Sequence, residues 1–506
     1  MQIATKEFLA ELEALADCRR AEIRALPDTV TVTGTTYYVA ADGDDAADGL
    51  TPETAWQTLA RVSDAALAEG DAVRFRRGDL FRGSVKCRSG VTYCAFGEGE
   101  KPKFYAWERD LADPALWELY NEKACIWHLK TKIPDVGNLV FDGGREHAYK
   151  HIPTYTKEGI FVCRDEMDRP FVIERELTQD LDIYHHYAGN FHTRPSKGES
   201  FPVPEMYNVD TSGDLYLRSN RGNPGFVFDS IEAVVREAGF RVGQCDDVHI
   251  DNLCLMYYGI HAVTAGGVCV RGLHVTNCEI GWIGGTVQSY IGCDPNHPAG
   301  IRGEVTRFGN GVEIYGGCDD YLVENCYIYE CYDAGASHQV TTTGREGARE
   351  MTNVLYRDNL IEHCVYGIEY FLDQRDGDDK SFMDGIEMCG NFIRHSGEGW
   401  GQQRHNTHTP AAIQGWSYVN TARNYTVHNN IIDRAGRRMI HLVAEAQSSA
   451  PAMWENTYVQ YDGACLGQHG GREHGEPTTY PFTDDAEQII TEIFGERDPK
   501  VYIIKK

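Results

Sequence analysis

Hydrophobic and polar residues repeat between Asp247 and Tyr458, and the repeat sets an Asn directly before each of seven short apolar strands. The seven positions are Asn252, Asn277, Asn325, Asn359, Asn391, Asn430 and Asn456. Another short strand precedes most of them, and a glycine or small residue opens a third strand after five of them. The shortest interval is 25 residues, and longer intervals fit the same unit with inserted loops. This period predicts an all-β solenoid: a right-handed parallel β-helix with three strands per turn.

The asparagines and the chain ends have expected structural roles in such a coil. Because Asn tolerates left-handed backbone geometry, each repeated Asn is expected to close a corner between two strands. An apolar stripe predicts a helix over residues 5–25 that packs on the coil or contacts a second subunit. The stripe consists of Phe8, Leu9, Leu12, Leu15 and Ile23. A short helix over Thr58–Leu67 is expected to cover the open end of the coil, and an Asp-capped helix (Asp484 or Asp485) with a final strand to close the other end.

The repeat lapses over a stretch rich in Trp, Tyr and His, which predicts an inserted β-rich subdomain. The expected organisation is an N-terminal helix (1–35), a capping segment with the first turns (36–105), the insert (106–225), the main coil (226–465) and a C-terminal cap (466–506).

The net charge, the lack of long apolar runs and the cysteines reduce the number of functions that fit this chain. The net charge of −28 disfavours nucleic acid, anionic membranes and polyanionic substrates. No run approaches the ~18 apolar residues of a membrane span, and the N-terminus lacks the apolar core of a secretory signal. Many of the 16 cysteines lie in predicted strands, where free thiols act as small buried hydrophobes. We therefore expect a cytoplasmic protein with reduced cysteines.

Alternation along the third strand of each turn predicts a polar row on one outer face. If the apolar residues Ile260, Val312, Ala336, Ile368, Ile413 and Ile440 face the interior, their successors face outward. Those successors are His261, Glu313, Ser337, Glu369, Gln414 and His441. Outward residues of any solenoid are polar, so the row is either a substrate groove or an ordinary solvated face.

Carboxylates near this row suit glycosidic cleavage, which needs one proton donor and one ionised nucleophile or base. The candidates are Glu313, Asp333, Glu369 and Asp373. Adjacent turns would place Asp333 and Glu369 about 5 Å apart, a separation that suits a retaining reaction. Glu313 and Glu369, two turns apart, would be separated by about 10 Å, at or beyond the upper edge of the inverting range. A turn residue that caps its own backbone is the alternative for Asp333.

Several further residues are candidates for substrate binding. His338 and Gln339 follow Asp333 and offer hydrogen bonds to sugar hydroxyls, although alternation points His338 toward the core. Trp400 and Trp416 either stack on sugar rings or plug the solenoid rim. The polar stretch 402–409 is a specificity loop or only a loop. No cofactor is expected; the acidic run 373–379 could hold a structural calcium ion but lacks a complete calcium-binding loop.

Some stretches resemble a known group. The chain resembles bacterial right-handed parallel β-helix carbohydrate-active proteins at its start, in YYVAADGDDAADGLTPETAWQTL followed by GDAVRFRRGDLFRG. It is also similar to a later segment of those proteins, in FGNGVEIYGG. Glycoside hydrolase families 120, 136 and 141 share the architecture. Resemblance to family 120, which pairs an Asp and a Glu on neighbouring turns, implies Asp333 as nucleophile and Glu369 as acid/base. Resemblance to family 141, which pairs two Asp, would instead select Asp373.

Three functions follow as hypotheses. The first is an exo-acting, retaining glycoside hydrolase that acts on short neutral oligosaccharides. The second is a polysaccharide lyase or uronate epimerase, which needs a cation near the substrate; Arg345, Arg349, Arg375 and Arg404 lie in flanking loops. The third is a non-catalytic carbohydrate-binding solenoid, because a fold does not fix a function. The sugar, its linkage and the oligomeric state stay open.

Overall fold

In the computed structural model, most of the strands belong to parallel sheets. The described residues are 1–152, 154–155, 161–162, 172–186, 193–194, 210–291, 304–342, 347–373, 380–404, 410–416, 421–444, 446–471 and 478–505. In the regular part of the coil, each strand pairs in parallel with the strand three elements later, so that the strands form three stacked rows. We call these the first, second and third rows, in the order in which the chain visits them within one repeat.

The bounds of the rows follow the pairing. The first row comprises Thr36–Val39, Ala72–Arg76, Thr92–Phe96, His249–Asp251, His274–Thr276, the end of Val312–Glu324, Glu350–Arg357, Phe382–Cys389, Ala422–His428 and Ala452–Trp454. The second row comprises Leu80–Arg82, Lys103–Tyr105, Cys254–Met256, Glu279–Ile283, Tyr327–Cys331, Leu360–Glu362, Phe392–Arg394, Ile431–Asp433, Thr457–Tyr461, Lys500–Ile504 and Gln2–Ile3. The third row comprises Val85–Lys86, Phe240–Gly243, Val263–Arg271, the start of Val312–Glu324, Ala334–Thr341, Tyr366–Asp373, Ala411–Gly415, Arg438–Ala444 and Ala464–Gly471, with Tyr480–Phe482 antiparallel at its edge.

Strand register in the third row matches the expected alternation for five of the six turns. Glu313, Ser337, Glu369, Gln414 and His441 are successive partners. The apolar residue before each of them lies in the buried core. The first turn differs, because the strand starts at Val263 and places Thr264 opposite Glu313. The prediction that Ile260 faces the common interior is therefore wrong; Ile260 packs instead in a separate cluster with Ala238 and Phe308.

The repeated asparagines occupy two different positions at the corner. Asn252, Asn277 and Asn325 have the expected left-handed backbone, with φ of 62°, 57° and 51°. In the later turns the left-handed residue comes one position earlier, for example Asp358 with φ 56° before Asn359. The expected corner geometry is thus wrong for Asn359 and its three successors.

Those four later asparagines form a continuous ladder of buried amides. The side-chain Nδ2 of Asn359 donates to Oδ1 of Asn391 at 2.9 Å, and the same 2.9 Å bond recurs from Asn391 to Asn430 and from Asn430 to Asn456. Each Nδ2 also donates to a backbone carbonyl, as Asn391 does to Tyr356 O at 2.9 Å. We call this set the asparagine ladder. It satisfies both hydrogens of every buried amide, which would otherwise cost stability.

The N-terminal helix spans Lys6–Ala25 and lies along the second row. Thr5 caps it by accepting a hydrogen bond from Phe8 N at 3.1 Å. Leu12, Ala16 and Ile23 are buried against residues of several strands, whereas Leu15, expected on the same stripe, is exposed. The helix packs on the coil, as one of the two expectations had it. A second subunit at this helix stays a prediction.

Ring contacts and ion pairs attach this helix to widely separated turns. Phe8 stacks on Tyr502 of the last strand with ring centroids 4.1 Å apart. At the other end of the helix, Arg24 Nε donates to Glu279 Oε2 at 3.0 Å. The helix therefore bridges the C-terminal turn and an early turn of the coil.

The interruption forms its own, mostly antiparallel sheets. Its strands are Trp117–Asn121, Ile126–Leu129, Val136–Phe141, Glu146–His147, Tyr149–His151, Thr154–Tyr155, Phe161–Val162, Asp182–His186, Thr193–Arg194 and Asp214–Arg218. Val287–Ile291 pairs antiparallel with Glu304–Arg307 and parallel with Thr193–Arg194 of this insert. Ile231–Val235 pairs antiparallel with Val136–Phe141, so the strand pairing returns to the coil at Phe240.

Short helices complete the chain. They are Pro52–Thr54, Leu59–Asp64, Pro114–Leu116, Ile173–Glu176, Pro224–Val227, Trp400–Gln403, Gln447–Ser449, Ala486–Gln488 and the π-helical Ile489–Ile493. Leu59–Asp64 is shorter than the expected Thr58–Leu67, and Thr58 is its N-cap. Asp485 precedes the C-terminal helix, and Lys500–Ile504 is the final strand. Among helices of the described residues, none has both the length and the apolar character needed to cross a membrane.

Candidate active site

Three carboxylates from neighbouring turns interact on the outer side of the third row. Glu313 and Glu369 occupy equivalent positions on strands that flank Ser337, and both are 5 % exposed. Asp333 lies one residue before the strand Ala334–Thr341, and its backbone carbonyl accepts a hydrogen bond from Tyr366 N at 3.1 Å. The charges of Asp333 and Glu313 both raise the pKa of Glu369, after burial. The structure thus brings together three of the four predicted carboxylates.

Asp333 is held by an arginine. The guanidinium of Arg404 forms an ion pair with Asp333 Oδ1, and Arg404 also lies over the ring of Tyr366, 5.7 Å from its centroid. Burial raises the pKa of Asp333, and the adjacent Arg404 charge opposes this rise. Since an opposite charge at contact distance favours the ionised carboxylate, Arg404 favours an anionic Asp333.

Glu369 has a contrasting environment. The indole Nε1 of Trp416 donates to Glu369 Oε1 at 2.6 Å. Burial, and next the charge of Asp333, raise the pKa of Glu369 to about 8 despite that hydrogen bond. Glu369 therefore holds a proton at neutral pH while Asp333 faces a cation. Burial outweighs Arg404 and raises the pKa of Asp333 overall, so the contrast lies in the partner of each group: a cation stabilises the ionised form of Asp333, whereas Glu369 keeps its proton.

Glu313 contacts His261 and Gln339, two of the predicted substrate-binding residues. Glu313 Oε2 lies 2.5 Å from His261 Nε2, and Glu313 Oε1 accepts a hydrogen bond from Gln339 Nε2 at 3.0 Å. Asn310 N donates to His261 Nδ1 at 3.1 Å, which leaves the proton on Nε2, facing Glu313. His261 reaches the site from the segment before its strand, rather than from the third row as expected.

Asn310 is a site residue that the sequence analysis missed. Its Nδ2 donates to Ser337 Oγ at 3.1 Å, and its Oδ1 accepts from Ala334 N at 2.9 Å. Together with the bond to His261, these contacts connect the segment that carries Asn310 to both neighbouring turns, one with His261 and the other with Asp333. Asn310 sits in the FGNGVEIYGG stretch, two residues before a third-row strand, which is the one local signal that could have identified it.

The site continues toward the C-terminal turns through Gln414 and His441. Gln414 is fully buried beside Glu369 in the strand register, and its Nε2 donates to His441 Nδ1. His441 Nε2 consequently carries the ring proton. Trp416 lies next to this pair, with its ring centroid 6.3 Å from that of His441.

Two predicted substrate-binding residues are structural instead. His338 is fully buried, its Nδ1 lies 2.9 Å from Tyr356 Oη, and its ring stacks on Tyr370. Burial lowers the pKa of His338 to about 3, so it is a neutral core residue. Trp400 is 2 % exposed and donates from Nε1 to Glu330 O at 2.7 Å. Neither offers a ring face to a sugar, and both are removed from the predicted binding set.

The remaining predicted sites lie wholly or partly outside the described residues. Asp373 ends a third-row strand opposite Thr341, but its side chain and residues 374–379 are not described, which leaves the calcium prediction untouched. Residues 405–409 of the specificity loop, Arg345 and Arg375 are likewise not described.

Comparison with known proteins gives distant likenesses only. No protein-family model matches the chain, and no curated protein matches it. Among solved structures, "The complex structure of XylC with xylose" is 12% identical with a TM-score of 0.41, covering 93% of this chain and 83% of that one. A structure titled "Glycoside hydrolase" is 10% identical with a TM-score of 0.43, covering 93% and 96%. A GH136 lacto-N-biosidase from Eubacterium ramulus is 12% identical with a TM-score of 0.37, covering 98% and 71%. These titles name proteins of the kind that the sequence resemblance named, but TM-scores below 0.5 bear on neither the activity nor the substrate of this chain.

Proposed function

We propose that the protein is a retaining glycoside hydrolase built on a right-handed parallel β-helix with three strands per turn. The observation that supports this is the electrostatic contrast between Asp333, paired with Arg404, and Glu369, whose pKa is raised to about 8. In the proposed reaction, Asp333 attacks the anomeric carbon and Glu369 protonates the leaving oxygen. Glu369 then removes a proton from the water that releases the sugar from Asp333.

The neighbouring groups fit hydroxyl recognition by an exo-acting enzyme on short neutral oligosaccharides. His261 Nε2–H, Gln339 and His441 Nε2–H supply hydrogen-bond donors around the carboxylates. Trp416 is partly exposed next to Glu369 and supplies an aromatic face. The carboxylates of Asp333 and Glu313 outnumber the single arginine, which makes the site unfavourable for a negatively charged sugar.

The compartment belongs to the same proposal. Fourteen cysteines lie in the described part of the chain, and all of them are free thiols. Free thiols in this number suit a reducing compartment, so we place the activity in the cytoplasm, on oligosaccharides delivered by transport.

The test is a screen of chromogenic monosaccharide glycosides, with NMR used to read the anomer released first. Retention supports Asp333 as nucleophile, whereas inversion would favour Glu313 as base with Glu369 as acid, even though two strand spacings, about 10 Å, are at or beyond the upper edge of the inverting range. Because Glu369 must hold a proton to act as acid, kcat/KM should fall as pH rises through about 8. Glycan binding without any product from any glycoside would favour a non-catalytic solenoid.

Arg404 also supports a second candidate, a uronate lyase or epimerase. Its guanidinium lies at the carboxylates, where a cation could neutralise the substrate carboxyl group. An absorbing unsaturated product formed from uronate polymers would identify a lyase and contradict the hydrolase. Arg404 is already paired with Asp333, so the hydrolase is the better fit.

A further inference from the structure

A cluster of three different metal-binding side chains lies on the first row, away from the third-row carboxylates. Glu387 and Cys389 come from the strand Phe382–Cys389, and His428 ends the adjacent strand Ala422–His428, directly opposite Cys389. One oxygen, one sulfur and one nitrogen from these residues all lie within 4.8 Å of one another. Their arrangement follows from alternation, which puts residues 387 and 389 on the same face of one strand.

Hydrogen bonds on the far side of His428 fix which ring nitrogen carries a proton. Asn429 Nδ2 donates to Glu455 Oε2 at 2.9 Å, and this sets the orientation of the Asn429 amide. Its Oδ1 then faces His428 Nδ1 at 2.8 Å, so that Nδ1 must be the donor. A carboxylate or amide oxygen that holds the distal N–H is the usual support of a metal-binding histidine.

As a consequence, the other ring nitrogen of His428, Nε2, faces Glu387 without a hydrogen between the two atoms. With its proton on Nδ1, neutral His428 has a lone pair on Nε2, yet Nε2 lies 2.9 Å from Glu387 Oε1, another acceptor. Two acceptors at this separation need a proton between them, held by the ring or by the Glu387 carboxyl group, or a metal ion. The neighbouring Cys389 sulfur favours the metal, because thiolate, imidazole and carboxylate are together the ligands of Zn²⁺.

We propose that Glu387, Cys389 and His428 bind one Zn²⁺-type divalent ion, with water in the fourth position. The ring of His428 stacks on Trp454, with centroids 4.2 Å apart and planes 8° from parallel, and this stacking fixes the orientation of the ring. On binding, the Cys389 thiol loses its proton to solvent and a sulfur–metal bond forms, with no change of oxidation state. The ion ties two adjacent turns together across the first row.

Zinc titration by calorimetry, with Co²⁺ absorption as a second measurement, tests this site on the whole chain. We expect one Zn²⁺ per chain, a thiolate-to-cobalt absorption band, and loss of both in Cys389→Ser. The matched control is Cys269→Ser, another partly exposed cysteine, which should bind as the unmodified protein does. Asn429→Ala, which keeps all three ligands, should weaken binding by about 10–100-fold through loss of ring support.

Two results would overturn the site. One is no stoichiometric zinc binding by the unmodified chain, which would mean that a proton, held by His428 or by Glu387, joins the two side chains. The other is unchanged zinc affinity in a folded Cys389→Ser, which would place the ion elsewhere. If Cys389→Ser does not fold, Glu387→Gln and Asn429→Ala provide the same comparison.

Discussion

Two buried rows of polar side chains run along this coil, and they differ in composition. The asparagine ladder repeats one residue at Asn359, Asn391, Asn430 and Asn456, each bonded to the next at the same distance. The outer row of the third-row strands never repeats a residue between neighbours: it reads Glu313, Ser337, Glu369, Gln414 and His441. Both rows occupy fixed positions of the same repeat.

The comparison shows how a solenoid separates structure from chemistry. An amide carries donors and an acceptor, so translation by one strand spacing satisfies every member of a ladder of identical residues. Unlike residues cannot satisfy one another in this way, and Gln414 Oε1 lacks a hydrogen-bond partner within the part of the chain that the structure describes. A buried polar row without repetition therefore indicates a site, and one with repetition indicates a scaffold.

The largest expected effect is on catalysis, from the outer row. Glu369→Gln and Asp333→Asn should each lower kcat on every cleaved glycoside by about 10²–10⁴-fold, because each removes a group that acts in the transition state. Unfolding midpoints should stay close to that of the unmodified protein for Glu369→Gln, which is isosteric with the protonated form. The control is Glu324→Gln, on the same strand as Glu313 but paired with Arg357 outside the site. Normal turnover by both variants would remove these assignments.

Breaking the asparagine ladder should affect stability most. Asn391→Ala removes the acceptor of Asn359 N and of one hydrogen of Asn359 Nδ2, and it removes the side-chain donor to the Tyr356 carbonyl. At about 1–3 kcal/mol for each unsatisfied group, we expect a loss of roughly 3 kcal/mol or more in the free energy of unfolding, read by denaturant titration. A loss below about 1 kcal/mol would show that water replaces the amide and that the ladder is not a scaffold.

The end of the ladder should make stability depend on pH. Glu496 Oε1 accepts from Asn456 N and Nδ2 at 2.9 and 3.0 Å, and burial raises the Glu496 pKa from 4.5 to about 7. The folded state therefore binds this proton more tightly than the unfolded state. Its contribution is complete below pH 4.5 and is lost as pH rises through about 7, a decrease of up to about 3 kcal/mol. Glu496→Gln should flatten this part of the stability profile, and an unchanged profile would assign the pH dependence elsewhere.

The smallest expected effect is on stability, from a substitution in the outer row of the third-row strands. Gln414 is as buried as Asn391, but its side chain bonds only His441 within the described residues, and its oxygen is unpaired. Gln414→Ala should thus cost at most about 1 kcal/mol beyond its lost packing, and less than Asn391→Ala under the same denaturant. Through loss of its bond to His441, the variant should also raise KM for the glycosides that are cleaved. Equal stability losses for the two variants would refute the distinction.

Sequence alone predicts those features of the fold and site that depend on the alternation of side chains along a strand and on the stacking of turns. The period of two along a strand and the stacking of turns place Glu313, Ser337 and Glu369 in register, and the same alternation already pointed His338 toward the core. Asn310 is not predicted from the sequence, and Arg404 is predicted only as a cation of a flanking loop for the lyase hypothesis, because segments between strands position both residues and loop lengths vary from turn to turn. The left-handed corner was misplaced by one residue at Asn359, because an Asn tolerates that geometry but also serves as a buried amide.

The helix Lys6–Ala25 makes the number of turns in this protein a fixed quantity. Solenoids ordinarily lengthen or shorten by whole repeats, since each repeat contacts only its neighbours. Here Phe8 and Arg24 are anchored on strands six spacings apart, about 29 Å, and the helix between them rises about 24 Å. A duplicated or deleted repeat between these strands would separate Phe8 or Arg24 from its contact on the coil. Evolution can therefore vary the loops of this protein far more easily than its number of turns.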